Sequence, residues 1–176
     1  MATESELQKL SENGKQVFEA GEYESAAEIF EKAAQGYMSL NDHVNAAELK
    51  NNKSVALLKM GKAQEALDAA LGTEEVFAQA GDLKRQGMAV GNQAAALEAL
   101  KRSDEAFAAY ERSAGLFEKA GEGDLRSLVL KAAAGINLKR GKVTESAFKM
   151  IGSLEAKEKP SLFDRILKSV LRFIQR

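Results

Sequence analysis

The 176-residue chain has no cysteine and no tryptophan, one proline (Pro160) and one histidine (His43). Lack of cysteine excludes disulfides and thiolate metal sites. A lone histidine builds neither a catalytic triad nor a histidine metal centre, so His43, directly after Asp42, reads as an exposed residue in a helix's first turn. No Walker loop, His-Glu-x-x-His pair, nucleophile elbow or dinucleotide fingerprint occurs. The expectation is a chain that is not an enzyme and needs no cofactor and no metal. No run approaches the ~18 apolar residues of a spanning helix. The start, Met1-Ala2-Thr3-Glu4-Ser5-Glu6, is acidic and lacks an apolar signal core, which points to a soluble, cytoplasmic protein. The net charge of −1, with basic and acidic residues interleaved up to residue 157, argues against nucleic acid as a partner.

What the chain does have is a forty-residue period: Ala26, Ala66, Ala106 and Ser146 stand at that spacing. So do the small residues Gly14, Ser54, Ala94 and Ala134, and the turn positions Gly21, Gly61, Lys101 and Gly141. Ala, Leu, Glu, Lys and Gln fill the segments between turns, which favours helix throughout. A second turn set, Asn41-Asp42, Gly81-Asp82 and Gly121-Glu122, joins a left-handed helix end to an acidic start. The predicted helices are 3–20, 23–40, 43–60, 62–80, 83–100, 103–120, 124–140, 143–157 and 161–175. Gly36, Gly72, Gly87, Gly91, Gly115 and Gly135 fall inside them, either for close helix approach or to keep a groove floor clear. A fixed period of this length implies a solenoid whose units bury their apolar faces against one another. The domain division is 1–159 for the repeats (about 3–41, 42–81, 82–121 and 122–159) and 160–176 for a last helix.

The first copy, Gly14, Val17, Gly21, Tyr23, Ala26, Phe30, Ala33, resembles the tetratricopeptide repeat. Later copies read Ser54, Leu57, Gly61, Ala66, Ala70, Thr73, then Ala94, Leu97, Ala106, Tyr110, Ser113. The fourth is degenerate, with Asn137 in a slot normally filled by a large apolar residue. The forty-residue unit is longer than the usual repeat, and Tyr37, Phe77 and Phe117 occupy the added length. In this it is similar to the long-repeat branch that includes the spindle-orientation adaptors of the Pins type. The resemblance implies an all-α fold, a right-handed α-solenoid of antiparallel helix pairs in about four repeats. It also implies a concave groove lined by the first helix of each pair, receiving a peptide or helix of another protein. Asn52 and Asn92 fall in the column where such proteins hydrogen-bond a ligand's main chain, since an amide offers both donor and acceptor. Lys15, Glu48, Asn51, Lys59, Met88, Glu98 and Lys131 are expected along the same face, with Gly91 leaving room beside Asn92. Lys15, Lys53 and Lys131 match the basic clamp of chaperone-tail binders only in part.

After Pro160, Ser161 with Asp164 predicts a cap for a ninth helix. Leu162, Phe163, Ile166, Leu167, Val170, Leu171, Phe173 and Ile174 cover one half of its wheel; the other half is basic. Three roles fit: a cap on the solenoid, a helix lying on a membrane surface, or a partner or homodimer helix. The function expected overall is a protein–protein interaction scaffold or adaptor working through its groove. The alternative is a membrane-surface or self-associating scaffold working through the last helix.

Overall fold

The structure, a computed structural model, describes residues 2–174; the side chains of Leu162, Phe163, Val170, Phe173 and Ile174 lie outside the description. It is all helical among the described residues: α1 (Glu4–Glu19), α2 (Tyr23–Ser39), α3 (His43–Lys59), α4 (Ala63–Ala70), α5 (Thr73–Gln79), α6 (Leu83–Ala99), α7 (Ser103–Ala120), α8 (Gly123–Lys139), α9 (Val143–Ala156) and α10 (Leu162–Ile174). None of these helices is long and apolar enough to cross a membrane.

One turn is used seven times. Residues 21, 41, 61, 81, 101, 121 and 141 all have positive φ, between 58° and 85°. At each, two amides close the helix end. Glu22 N–H donates to the Val17 carbonyl (3.1 Å) and Gly21 N–H to that of Phe18 (3.0 Å). The same pair recurs up to Lys142 on Asn137 (2.9 Å) and Gly141 on Leu138 (3.0 Å). This is the Schellman closure, which satisfies carbonyls that the helix leaves bare. The next residue already caps the following helix: the Glu22 carbonyl receives Ala26 N–H at 2.9 Å. Asp42 and Asp82 add side-chain caps on the amides of Asn45 (3.0 Å) and Arg85 (2.8 Å). Glycine stands at five of the seven turns because left-handed backbone costs it nothing; Asn41 and Lys101 bear that strain.

Within each pair the helices meet at the small-residue columns. A Cβ on Gly14 would lie 2.7 Å from the Phe30 ring, and one on Gly87 would lie 2.8 Å from Phe117. In the second pair Ser54 Oγ donates to the Ala66 carbonyl (2.7 Å); in the fourth, Ser146 Oγ donates to that of Ala134 (2.8 Å). The hydroxyl has changed sides while the contact is kept. Ser113 Oγ on the Gly87 carbonyl (2.7 Å) and Ser153 Oγ on that of Ser127 (2.9 Å) repeat the device nearer the other helix end. Tyr37, Phe77 and Phe117 are all buried, so the added length of each unit is core. Of the glycines within predicted helices, Gly36 and Gly87 serve close approach, whereas Gly115 and Gly135 have nothing within 4 Å of an added Cβ.

The expected single helix 62–80 is a correction. Leu71 turns extended (ψ 139°) and Gly72 left-handed (φ 77°), dividing it into α4 and α5. Thr73 then donates to the Ala70 carbonyl at 2.7 Å and lies 3.2 Å from Asn51 Oδ1, fixing the break from both sides. Gly72 is therefore a turn residue rather than a packing glycine.

Asn137 is 1% exposed, and its Nδ2 finds no acceptor among the described residues. Leu57 and Leu97 fill the equivalent slots. A buried amide hydrogen left unbonded costs about 1–3 kcal/mol. Asn137→Leu is therefore expected to raise the unfolding free energy by about 1–2 kcal/mol, read from the urea midpoint at unchanged slope. Lys101→Gly should add about 0.5–1 kcal/mol in the same assay by removing left-handed strain; the identical change at Lys119, inside α7, should lose about 1 kcal/mol.

Candidate functional site

The first helices of successive pairs flank recesses floored by a second helix. Between α1 and α3 lies a polar recess of about 280 Å³ lined by Gln8, Glu12, Lys15, Asn45 and Glu48. Beside it, Lys15, Phe18, Asn52 and Val55 surround a further 230 Å³ above Phe30. Between α6 and α8 lies an apolar recess of about 340 Å³, walled by Met88, Asn92, Leu125 and Leu128 and floored by Tyr110 and Phe117 of α7. Gly91 opens that floor: a Cβ there would stand 3.3 Å from Ser113 Oγ.

The change from polar to apolar runs down single columns. One column reads Gln8, Glu48, Met88, Leu128 and another Lys15, Val55, Ala95, Gly135. The first column changes from polar to apolar between Glu48 and Met88, and side chains at the second become smaller toward the C-terminal end. Met88 is 44% and Leu128 65% exposed, so the apolar wall is open to solvent. Ala95 and Ala132 leave the space between them unfilled.

Most charges expected to face a ligand are tied up within the chain. Glu48 receives Lys15 (3.6 Å) from α1 and Arg85 (3.2 Å) from α6, linking three repeats. Glu98 takes Lys139 of α8 at 2.9 Å and the Tyr110 hydroxyl at 3.2 Å. Lys53 is turned away onto Glu31 (2.9 Å), which lowers the Glu31 carboxyl below its ordinary range, so the basic clamp lacks its middle member. On the second-helix layer Arg112 pairs with Glu74 and Lys149 with Glu111. Exposed pairs of this kind each contribute about 0–1 kcal/mol, so a ligand could exchange them at little cost.

The structure gathers Met88, Gly91 and Asn92 at the apolar recess between α6 and α8, sets Lys15 and Glu48 at the polar one, and puts Asn52 with Lys15 at the smaller recess above Phe30. The two asparagines thus share a column without sharing a recess. Neither makes a side-chain hydrogen bond among the described residues, and both are half-buried, leaving amides available. Asn51 is a correction: it is only 6% exposed, and its Oδ1 faces Thr73, so it belongs to the α4–α5 break rather than to a binding face. Lys59 and Lys131 line none of these three recesses. Leu125, Leu128 and Ala132 were missed by sequence reasoning. The signal for Leu128 was its place in the Met88 column, where an apolar residue has no core to join.

Burial first, and the neighbouring Glu98 carboxylate second, push the Tyr110 phenol above its ordinary value of 10. A raised folded pKa stabilises the fold below the unfolded value and loses that contribution as pH rises through the folded one. Stability is thus expected to fall above about pH 10, and Tyr110→Phe should flatten that fall while costing about 1 kcal/mol near neutrality. Urea midpoints measured across the alkaline range check both.

A putative kinesin light chain with nearly identical TPR-like repeats from Podospora anserina, in a single-residue variant form, superposes with TM-score 0.69 at 15% identity. A second crystal structure of that protein gives TM-score 0.56 at 16% identity. In both cases the alignment covers 99% of this chain and 97% of the other. These likenesses show the fold, a TPR-like helical repeat solenoid. Comparison with curated proteins gives no match. The model of the soluble NSF attachment protein family matches residues 11–159, from within α1 to beyond the end of α9, and the chain belongs to that family, SNAP.

Proposed function

We propose that this protein is an adaptor without catalysis of its own, working in the cytoplasm and holding a peptide or helix of another protein against its first-helix face. TPR-like solenoids generally mediate protein–protein interaction, and the SNAP family takes its name from attachment to another protein, so an adaptor role suits the chain. The observation that carries the reading is the solvent-open apolar recess between α6 and α8 with the uncommitted amide of Asn92 at its wall. A ligand's apolar side chain enters beside Met88 and Leu128, and Asn92 pairs with its main chain. Asn52 repeats that pairing one unit earlier. Lys15, Glu48, Glu98, Lys59 and Lys131 supply charge at the margins rather than affinity, since such contacts chiefly tune orientation and association rate.

The test is affinity for a captured partner, compared among variants at positions outside the core. Leu128→Glu is expected to weaken binding at least tenfold by placing a charge in an apolar contact. Asn92→Ala and Asn52→Ala should each cost on the order of 1 kcal/mol, about fivefold. Partner affinity unchanged in all three would place the binding surface elsewhere.

A further inference from the structure

Net charge climbs along the array. The first repeat (3–41) holds eight acids and three bases, and the second (42–81) six acids and four bases. The third (82–121) holds six of each, and the fourth (122–159) five acids and eight bases. The units therefore run −5, −2, 0 and +3. Internal pairing decides how much of that charge can meet a ligand. No charged residue lines the apolar recess between α6 and α8. Of the cations on those two helices, Lys84 is held by Glu122 (2.8 Å), Arg85 by Asp82 (2.6 Å) and Glu48 (3.2 Å), Arg126 by Glu118 (3.0 Å) and Lys139 by Glu98 (2.9 Å). Lys131 alone among them has no ion partner among the described residues, and it does not line the recess. The first repeat is different. Glu4 and Glu12 line the recess between α1 and α3, and Glu19 lines the smaller one above Phe30. All three are exposed, and none forms an ion pair among the described residues. Lys15 is the one cation lining these two recesses, and it reaches Glu48 at only 3.6 Å.

Helix α6 is the boundary between the two kinds of surface. Arg85 reaches back to Glu48 at the polar recess, while Met88, one turn later on the same helix, walls the apolar one. A ligand that seats an apolar side chain beside Met88 and Leu128 and continues across α6 toward α1 meets the free carboxylates of Glu12 and Glu19. Acidic residues on such a ligand face charge of their own sign, and lysine or arginine faces the opposite sign. The gradient also acts before contact: at 0.1 M salt the Debye length is about 10 Å, so a repeat carrying −5 orients an approaching cation.

We infer that the occupant of the α6–α8 recess is a basic segment of a partner protein, whose apolar side chain seats between Met88 and Leu128 while lysine or arginine on one side of it reaches across α6 to the carboxylates of Glu12 and Glu19. This rests on the reading of that recess as the binding site and adds the partner's charge and direction. The two contacts supply different things. Apolar burial holds the segment, and the acidic end fixes which way it lies and speeds its arrival. A reversed segment would carry its cations over the fourth repeat, where the net charge is +3, so one direction is favoured.

The test is selection against the full chain from a phage-displayed library of random peptides of about sixteen residues, roughly 50 Å when extended. Enriched sequences are expected to combine an aliphatic or aromatic residue with lysine or arginine on one consistent side of it. A selected peptide, followed by fluorescence anisotropy, should lose affinity at least about tenfold on Leu128→Glu. Glu12→Gln combined with Glu19→Gln should weaken it about three- to tenfold and flatten its salt dependence. Glu24→Gln with Glu28→Gln makes the same change of net charge in a recess between α2 and α4, and should leave binding as it is. Thermal unfolding should be unaltered in both double variants, because all four positions are exposed. The inference is overturned, with the recess assignment intact, if enriched peptides are neutral or acidic yet still depend on Leu128. It is overturned in the same way if the Glu12 and Glu19 variant binds as the natural chain does, or if the Glu24 and Glu28 variant weakens binding equally. Selected peptides indifferent to Leu128→Glu, or no enrichment at all, overturn the recess reading itself and this inference with it.

Discussion

A helix that must end in left-handed backbone every twenty residues can only double back, and the remaining architecture depends on that reversal. The turn at 21, 41, 61, 81, 101, 121 and 141 closes one helix with two amide bonds and caps the next with the following residue's carbonyl. So short a connection leaves neighbouring helices no choice but antiparallel contact, and equal spacing gives each about the same length. Small residues then become obligatory where the paired helices touch: Gly14 lies under the Phe30 ring, Ser54 meets Ala66 and Ala134 meets Ser146. The serine hydroxyl that passes from one partner to the other between the second and fourth pairs indicates that the contact distance, rather than any one side chain, is what the period preserves.

Breaking the rule has a local price. The extra left-handed residue at Gly72 shortens the second helix of the second pair into α4 and α5, and the chain spends Thr73 and Asn51 on holding the break. The fourth pair departs in another way, by burying an unbonded Asn137 amide where earlier copies bury leucine. Both departures concern burial and hydrogen bonding rather than surface chemistry.

The outer faces follow a different logic. Ion pairs from Lys15 through Glu48 to Arg85, and from Glu98 to Lys139, run between first helices and neutralise much of what looked like a ligand-reading surface. The open apolar side chains Met88, Leu125 and Leu128 on that side cluster toward α6 and α8. At the end of the array Glu155 of α9 pairs with Lys168 and Arg172 of α10, and Lys157 pairs with Asp164.

The sequence by itself determined the helical class, the repeat, its forty-residue period, nearly all helix ends, the caps at Asp42, Asp82 and Ser161, and the burial of Tyr37, Phe77 and Phe117. These follow from local turn chemistry and from apolar spacing, which are legible one segment at a time. It also placed Met88, Gly91 and Asn92 on a common wall. Only the tertiary structure decided that Asn51 faces inward, that Lys53, Glu48 and Glu98 are taken by partners 12 to 41 residues away, and that Leu125, Leu128 and Ala132 complete the recess. Which partner a charged side chain chooses depends on the relative placement of whole helices, and no periodicity within one helix encodes that placement.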